Sequence, residues 1–177
     1  MKRKQTSRKK PAPRKDTHGA LRQHLAKLLD WQDAHLDFDA VLGDWPVALR
    51  GVRPPGAPHT PWQLLEHLRI CQWDILDFSR NRNYRELEFS AYWPPTDVPP
   101  SEPAWEESLR AFRRDLEAMK KLLANPKTDL FARIPWGTGQ TVLREALLVA
   151  DHNAYHLGQL LLLRRLQGAW PRSNAGR

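Results

Sequence analysis

Residues 60–80 read TPWQLLEHLRICQWDILDFSR, and the fold is decided there. Thr60 is an N-cap residue, Pro61 occupies the first helical position where its missing N–H costs nothing, and Gln63 completes a capping box. The pattern predicts a helix running to about Arg80. At 100° per residue, Leu64, Leu68, Cys71, Ile75 and Phe78 fall within an arc of about 80°, which is the expected core face. His67 lies about 20° outside the edge of that arc, and Asp74, two turns on, shares the same edge. Trp62, Leu65, Trp73 and Leu76 form a second apolar patch on the opposite side, able to meet another helix or another subunit.

Working outward, the same periodicity recurs three times. A first helix is expected from about Thr17 to Leu42, with Leu21, Leu25, Leu28 and Leu36 at helical spacing and Gly43 and Pro46 ending it. A third is expected from about Ala104 to Ala124, striped by Leu109, Phe112, Leu116, Met119 and Leu123 and closed by Asn125-Pro126. The last should run from about Thr141 to Gln167, with Gly168 able to terminate it. Residues 81–103 carry Pro94, Pro95, Pro99, Pro100 and Pro103 and read as a long connection. Such a connection in a compact domain is often functional or wraps a bundle end. No alternating β-branched run and no 20–50-residue repeat stands out. Four amphipathic helices with a long connection make an all-α four-helix bundle. The eight tryptophans fit either packing or an aromatic pocket.

The formal charge of +8 invites a nucleic-acid reading, so its location matters. Lys2, Arg3, Lys4, Arg8, Lys9, Lys10, Arg14 and Lys15 lie in the first 15 residues with no acid among them. Without these eight, the 28 basic residues fall to 20, matched by 20 acids. The basicity belongs to a tail, expected to be disordered over residues 1–16, and the domain is expected over 17–177. The tail either is solvated without a specific partner or contacts nucleic acid through counterion release. The single cysteine, Cys71, excludes an internal disulfide framework and suits a reducing compartment. No apolar segment follows the basic N-terminus, which argues against a secretory signal. The longest apolar stretch, Ala146 to Leu163, is interrupted by Asp151, His152, Asn153, His156 and Gln159, too polar for a membrane span. A cytoplasmic protein is expected.

His152 and His156 are four residues apart on the last helix, so one stands a turn above the other at the margin of its buried face, which is traced by Val142, Leu143, Ala146, Ala150, Asn153, Leu157, Leu160 and Leu161. Two imidazoles at this spacing suit zinc or another first-row metal, and they suit polar interhelical contacts equally. A metal requires a third ligand from another helix. His67 is the candidate, because it too sits at a core margin. Three neutral histidines would leave the full charge of the ion in place and at least one coordination position open, the pattern of a reactive site.

The segments Thr60-Pro61-Trp62-Gln63-Leu64-Leu65-Glu66-His67-Leu68 and Asp151-His152-Asn153-Ala154-Tyr155-His156-Leu157-Gly158-Gln159-Leu160 together resemble the DinB-like (YfiT-like) superfamily of metal-dependent enzymes. The resemblance covers nearly all of the chain after about residue 17. It implies an up-down-down-up four-helix bundle, commonly a homodimer, with nickel, zinc or manganese held by three histidines that correspond here to His67, His152 and His156. It also implies an enzyme acting on a small molecule. Relatives in the wider superfamily are S-transferases that use bacillithiol, mycothiol or glutathione, and a maleylpyruvate isomerase, so a low-molecular-weight thiol is an expected co-substrate and hydrolysis is the other expected reaction type. The family often places Arg directly after the last histidine, where this chain has Leu157.

Several neighbours carry two readings each. Asp74 is either a solvated carboxylate or a group that orients a ligating imidazole or accepts a proton. Asn153 is better placed than Asp151 to support His152, since ligating histidines donate their second N–H to such partners. Asp74 and Asn153 are therefore the candidate catalytic residues. Glu66 points about 100° from His67 and reads as surface. Tyr155 and Gln159 read as packing or interhelical hydrogen bonding. His18, His24, His35 and His59 read as ordinary polar histidines, and Cys71 as a small hydrophobe with a lesser claim to be a fourth ligand. The leading expectation is a metal-dependent transferase or hydrolase. The other is a non-catalytic metal-binding protein whose tail contacts nucleic acid.

Overall fold

The computed structural model describes residues 18–30 and 34–170. The expected basic tail and the expected helix start at Thr17 lie outside the described residues. Five α-helices carry the described fold: α1 (Gly19–Asp30), α2 (Phe38–Leu42), α3 (Pro61–Arg80), α4 (Ala104–Ala124) and α5 (Val142–Leu166). Beside them stands one isolated bridge, Arg133 with Thr141, and no strand among the described residues. The chain is all-α.

α3 begins as its sequence dictates. The Thr60 hydroxyl accepts the Gln63 backbone N–H at 3.2 Å, and the Gln63 side chain accepts the Thr60 backbone N–H at 3.0 Å, a reciprocal arrangement whose cap alone contributes about 1 kcal/mol. The Thr60 hydroxyl and the Gln63 amide also donate to Asp97, to its carbonyl at 2.7 Å and its carboxylate at 2.8 Å. The far end of the 81–103 connection is thereby fastened to the start of α3. At the other end of the domain, Gly168 at φ 69° turns the chain out of α5, where any side chain would be strained.

The first helix differs from its expected single span of 17–42. Residues 34–37 are not helical, and Asp37 in extended conformation caps α2, its carboxylate accepting the Ala40 N–H at 2.7 Å. An aspartate that can bond the backbone this way favours a cap over a helix interior. The break also rotates the stripe: Leu25 and Leu29 are buried, whereas Leu28 and Leu36 are exposed.

α3 packs against both α4 and α5, and α1 against the same two helices. This double flank decides the packing of the second apolar patch of α3 and corrects the reading of Glu66. Trp62, Leu65 and Leu76 are buried within the chain, and Trp73 is exposed. Glu66 is buried too, because 100° around from His67 lies α4; its carboxylate takes the Arg69 guanidinium and the Ser108 hydroxyl. Fully buried Gln72 spans the bundle, donating to the Phe112 carbonyl of α4 and accepting from Asn153 of α5, each at 2.8 Å. No described helix is long and apolar enough to cross a membrane.

Candidate metal centre

His67 on α3 meets His152 and His156 on α5 in one cluster. The His67 and His152 Nε2 atoms stand 3.2 Å apart. Ring centroids lie 5.0 Å apart for His67 and His152, 4.7 Å for His67 and His156, and 4.6 Å for the α5 pair. The rings are mutually tilted or edge-on and not stacked. Among the described residues, the side chains whose possible ligand atoms all lie within 4.8 Å of one another are His67, Cys71 and His152; His156 stands beside this set, its ring centroid 4.7 Å from that of His67 and 4.6 Å from that of His152. Cys71 follows His67 by one helical turn, and its sulfur lies 3.5 Å from Nδ1 and 3.7 Å from Nε2 of that ring.

Supporting groups fix which nitrogen each ring presents. His67 Nδ1 is 2.8 Å from the Tyr92 carbonyl, an oxygen that only accepts, so Nδ1 carries the hydrogen and Nε2 keeps its lone pair for the cluster. His156 Nδ1 lies 2.8 Å from the Gln159 side-chain oxygen, which leaves its Nε2 free in the same way. Trp93 stacks flat on His67, with centroids 3.9 Å apart and planes within 5°, and His59 in turn stacks on Trp93 at 4.1 Å. Tyr92 and Trp93 come from the 81–103 connection. That connection is held by Asp74, which accepts the Tyr92 hydroxyl at 2.9 Å and the Tyr84 hydroxyl at 3.0 Å. Asp74 thus bonds no imidazole; it anchors the residue whose carbonyl orients His67. Burial pushes its carboxyl above the usual range, with the two tyrosine hydroxyls opposing.

Burial likewise lowers the proton affinity of all three histidines. For His67 the Tyr92 carbonyl opposes the shift and the charges of His156 and His59 add to it; for His156 the Gln159 bond opposes it. His152 falls furthest, to about 4, driven by burial and then by its two histidine neighbours, with Asn153 opposing. The rings are therefore neutral at neutral pH, the form that binds metal. The Cys71 thiol is pushed up to about 12 by burial and by the Asp74 charge.

Two features test whether a metal suits these residues. Ligand nitrogens on a tetrahedral ion with bonds of about 2.0–2.1 Å are separated by about 3.3–3.4 Å, close to the 3.2 Å between the His67 and His152 nitrogens. A shared proton would also account for that contact. The second feature separates the two cases. His152 Nδ1 and Asn153 Oδ1 are both buried without a hydrogen-bond partner. When Nε2 of His152 is a ligand, its hydrogen must sit on Nδ1, which then becomes a donor beside an orphaned acceptor. The donor set fits a divalent first-row ion.

Other candidates fall elsewhere. Asn153 is buried and ties α5 to Gln72, Asp151 is exposed, and Leu157, at the position where the family often has Arg, is buried in the core. His18 packs at a tilt against Phe131, and His24 is exposed. His59, read as ordinary, is near enough to His67 and His156 for its charge to act on both. It also lines a cleft of about 300 Å³ with Leu64, Gln159, Leu163 and Pro58. Sequence spacing gives no sign of Tyr92 or Trp93 beyond the length of their connection.

The sequence model of the DinB superfamily matches residues 30–160, so the chain belongs to that superfamily. No curated protein and no solved structure matches the chain.

Proposed function

We propose that this member of the DinB superfamily is a metal-dependent enzyme in which His67, His152 and His156 hold one divalent first-row ion, and that it catalyses thiol-dependent S-transfer or hydrolysis on a small molecule. The observation that carries the reading is the convergence of three neutral imidazoles from two helices, with His67 and His152 nitrogens 3.2 Å apart. We also read the order of contacts as up-down-down-up: Glu66 meets Ser108 and Gln72 meets Phe112, so α3 and α4 ascend together, whereas Leu64 lies by Leu163 and Gln72 by Asn153, so α5 runs against α3.

When bound, the ion supplies a Lewis-acidic charge that acidifies a coordinated water or thiol. The protein's own groups set the stage for it. The Tyr92 carbonyl and the Trp93 indole lock the plane of His67, and Gln159 does the same for His156. Asp74 serves as a positioning residue, because it acts on His67 through Tyr92. The cleft between α5 and the 55–59 loop abuts these supports: Gln159 lines it and bonds His156, while His59 lines it and stacks on Trp93. At about 300 Å³ it has the dimensions of a small-molecule site, with Leu64, Leu162 and Leu163 giving it an apolar wall.

Elemental analysis of purified protein tests the proposal. About one first-row metal per chain is expected, and His152→Ala should lose it; a variant that keeps its full metal contradicts the site. Turnover is tested with the loaded protein and a panel of low-molecular-weight thiols with an electrophilic acceptor. Retained metal with no turnover on thiol or hydrolytic substrates would favour a non-catalytic metal-binding protein.

A further inference from the structure

We propose that Cys71 is a fourth ligand of the ion, so that the centre holds it with one cysteine and three histidines and not with histidines alone. The inference rests on the histidine reading above. Its own support is geometric. A tetrahedral ion with bonds of about 2.3 Å to sulfur and 2.0–2.1 Å to nitrogen sets those ligand atoms about 3.5–3.6 Å apart. Cys71 Sγ is 3.7 Å from His67 Nε2, and the companion edge, from His67 Nε2 to His152 Nε2, is 3.2 Å. The sulfur and one nitrogen of each of these two histidines all lie within 4.8 Å of one another. The sulfur stands beside the His67 ring, nearly equidistant from its two nitrogens, so a turn of the Cys71 or His67 side chain is what brings it onto the ion. The shorter contact, 3.5 Å to His67 Nδ1, is not a thiol donating to that nitrogen, because Nδ1 gives its own hydrogen to the Tyr92 carbonyl. The remaining lone pair on the ring is the one on Nε2, which faces the cluster.

Coordination breaks the S–H bond, leaves the electron pair on sulfur and releases the proton to solvent. The net charge of the centre drops by one, and the soft thiolate favours zinc or cobalt over manganese. It also fills the position that three histidines leave open, so a substrate must enter as a fifth ligand or displace the sulfur.

Cobalt(II) substitution of the full-length protein tests this by its optical spectrum. The wild type should show an intense sulfur-to-cobalt charge-transfer band in the near ultraviolet. Cys71→Ser and Cys71→Ala should lose that band while still binding cobalt through the histidines, with affinity weakened by about tenfold or more, the scale of a lost supporting group or beyond. The preference for zinc over manganese should narrow in both variants. Cobalt bound by the wild type without the band overturns the cysteine assignment and leaves the histidine site standing, as does a band that survives in both variants. Failure of the wild type to bind cobalt at all overturns both. The wild-type spectrum alone decides the point even where a variant does not fold.

Discussion

α5 and the connection over residues 81–103 reach the same cluster by different means. α5 delivers two imidazoles from a 25-residue helix whose spacing alone sets one above the other. The connection delivers no imidazole. It contributes a carbonyl from Tyr92 and an indole from Trp93, and it holds them in place through side-chain hydrogen bonds: Tyr84 and Tyr92 to Asp74 near its middle, Thr60 and Gln63 to Asp97 near its end. The contrast teaches that, in the proposed site, the candidate ligands come from helical periodicity whereas their orientation comes from irregular chain, which must itself be anchored. An error in the helix removes a ligand; an error in the connection merely lets one swing.

That difference can be broken or sharpened in descending order of effect. His156→Ala deletes a ligand and should weaken zinc affinity by more than the roughly 10–100-fold typical of a lost supporting partner, measured by chelator competition; a loss smaller than about tenfold would remove His156 from the ligand set. Asp74→Ala frees Tyr92 and its carbonyl from their anchor. It should weaken zinc by about 10–100-fold while His152 and His156 stay in place, and an unchanged affinity would show that the connection does not steer His67. Gln159→Leu acts on a single tautomer along the same helix and should sit at the low end, about tenfold; a loss equal to that of His156→Ala would make Gln159 itself a ligand candidate.

The smallest effect concerns stability and lies on α5 alone. Glu145 is 2 % exposed, and burial raises its carboxyl above the ordinary 4.5, with Arg144 opposing. Its folded form holds a proton more tightly than the unfolded chain, so its contribution favours folding below the ordinary value and fades as pH rises through the folded value. Glu145→Gln should flatten the pH dependence of thermal unfolding across that window, by at most about 1.4 kcal/mol per pH unit. An unchanged slope in the variant would assign the dependence to other groups.

Legibility in the sequence follows the same division. α3, α4 and α5 are readable to within a residue or two, because caps and apolar stripes are local: Thr60, Pro61 and Gln63 fix one start, and Asn125-Pro126 one end. The three histidines are readable as well, from an i, i+4 pair and a margin position. The break between α1 and α2 is not, since Asp37 caps a helix of only five residues that no stripe announces. Glu66 defeats the reading of its helix because angular position on one helix does not reveal that a second neighbour covers the opposite flank. Tyr92 meets His67 through its backbone carbonyl, a group every residue carries, and so leaves no periodic trace.

Anomalous diffraction from crystals of the zinc-loaded protein bears most directly on the central claim. The account predicts one zinc peak per chain within about 2.0–2.1 Å of Nε2 of His67, His152 and His156. A peak bound elsewhere, or one that leaves His67 uncoordinated while the α5 pair is occupied, would contradict it.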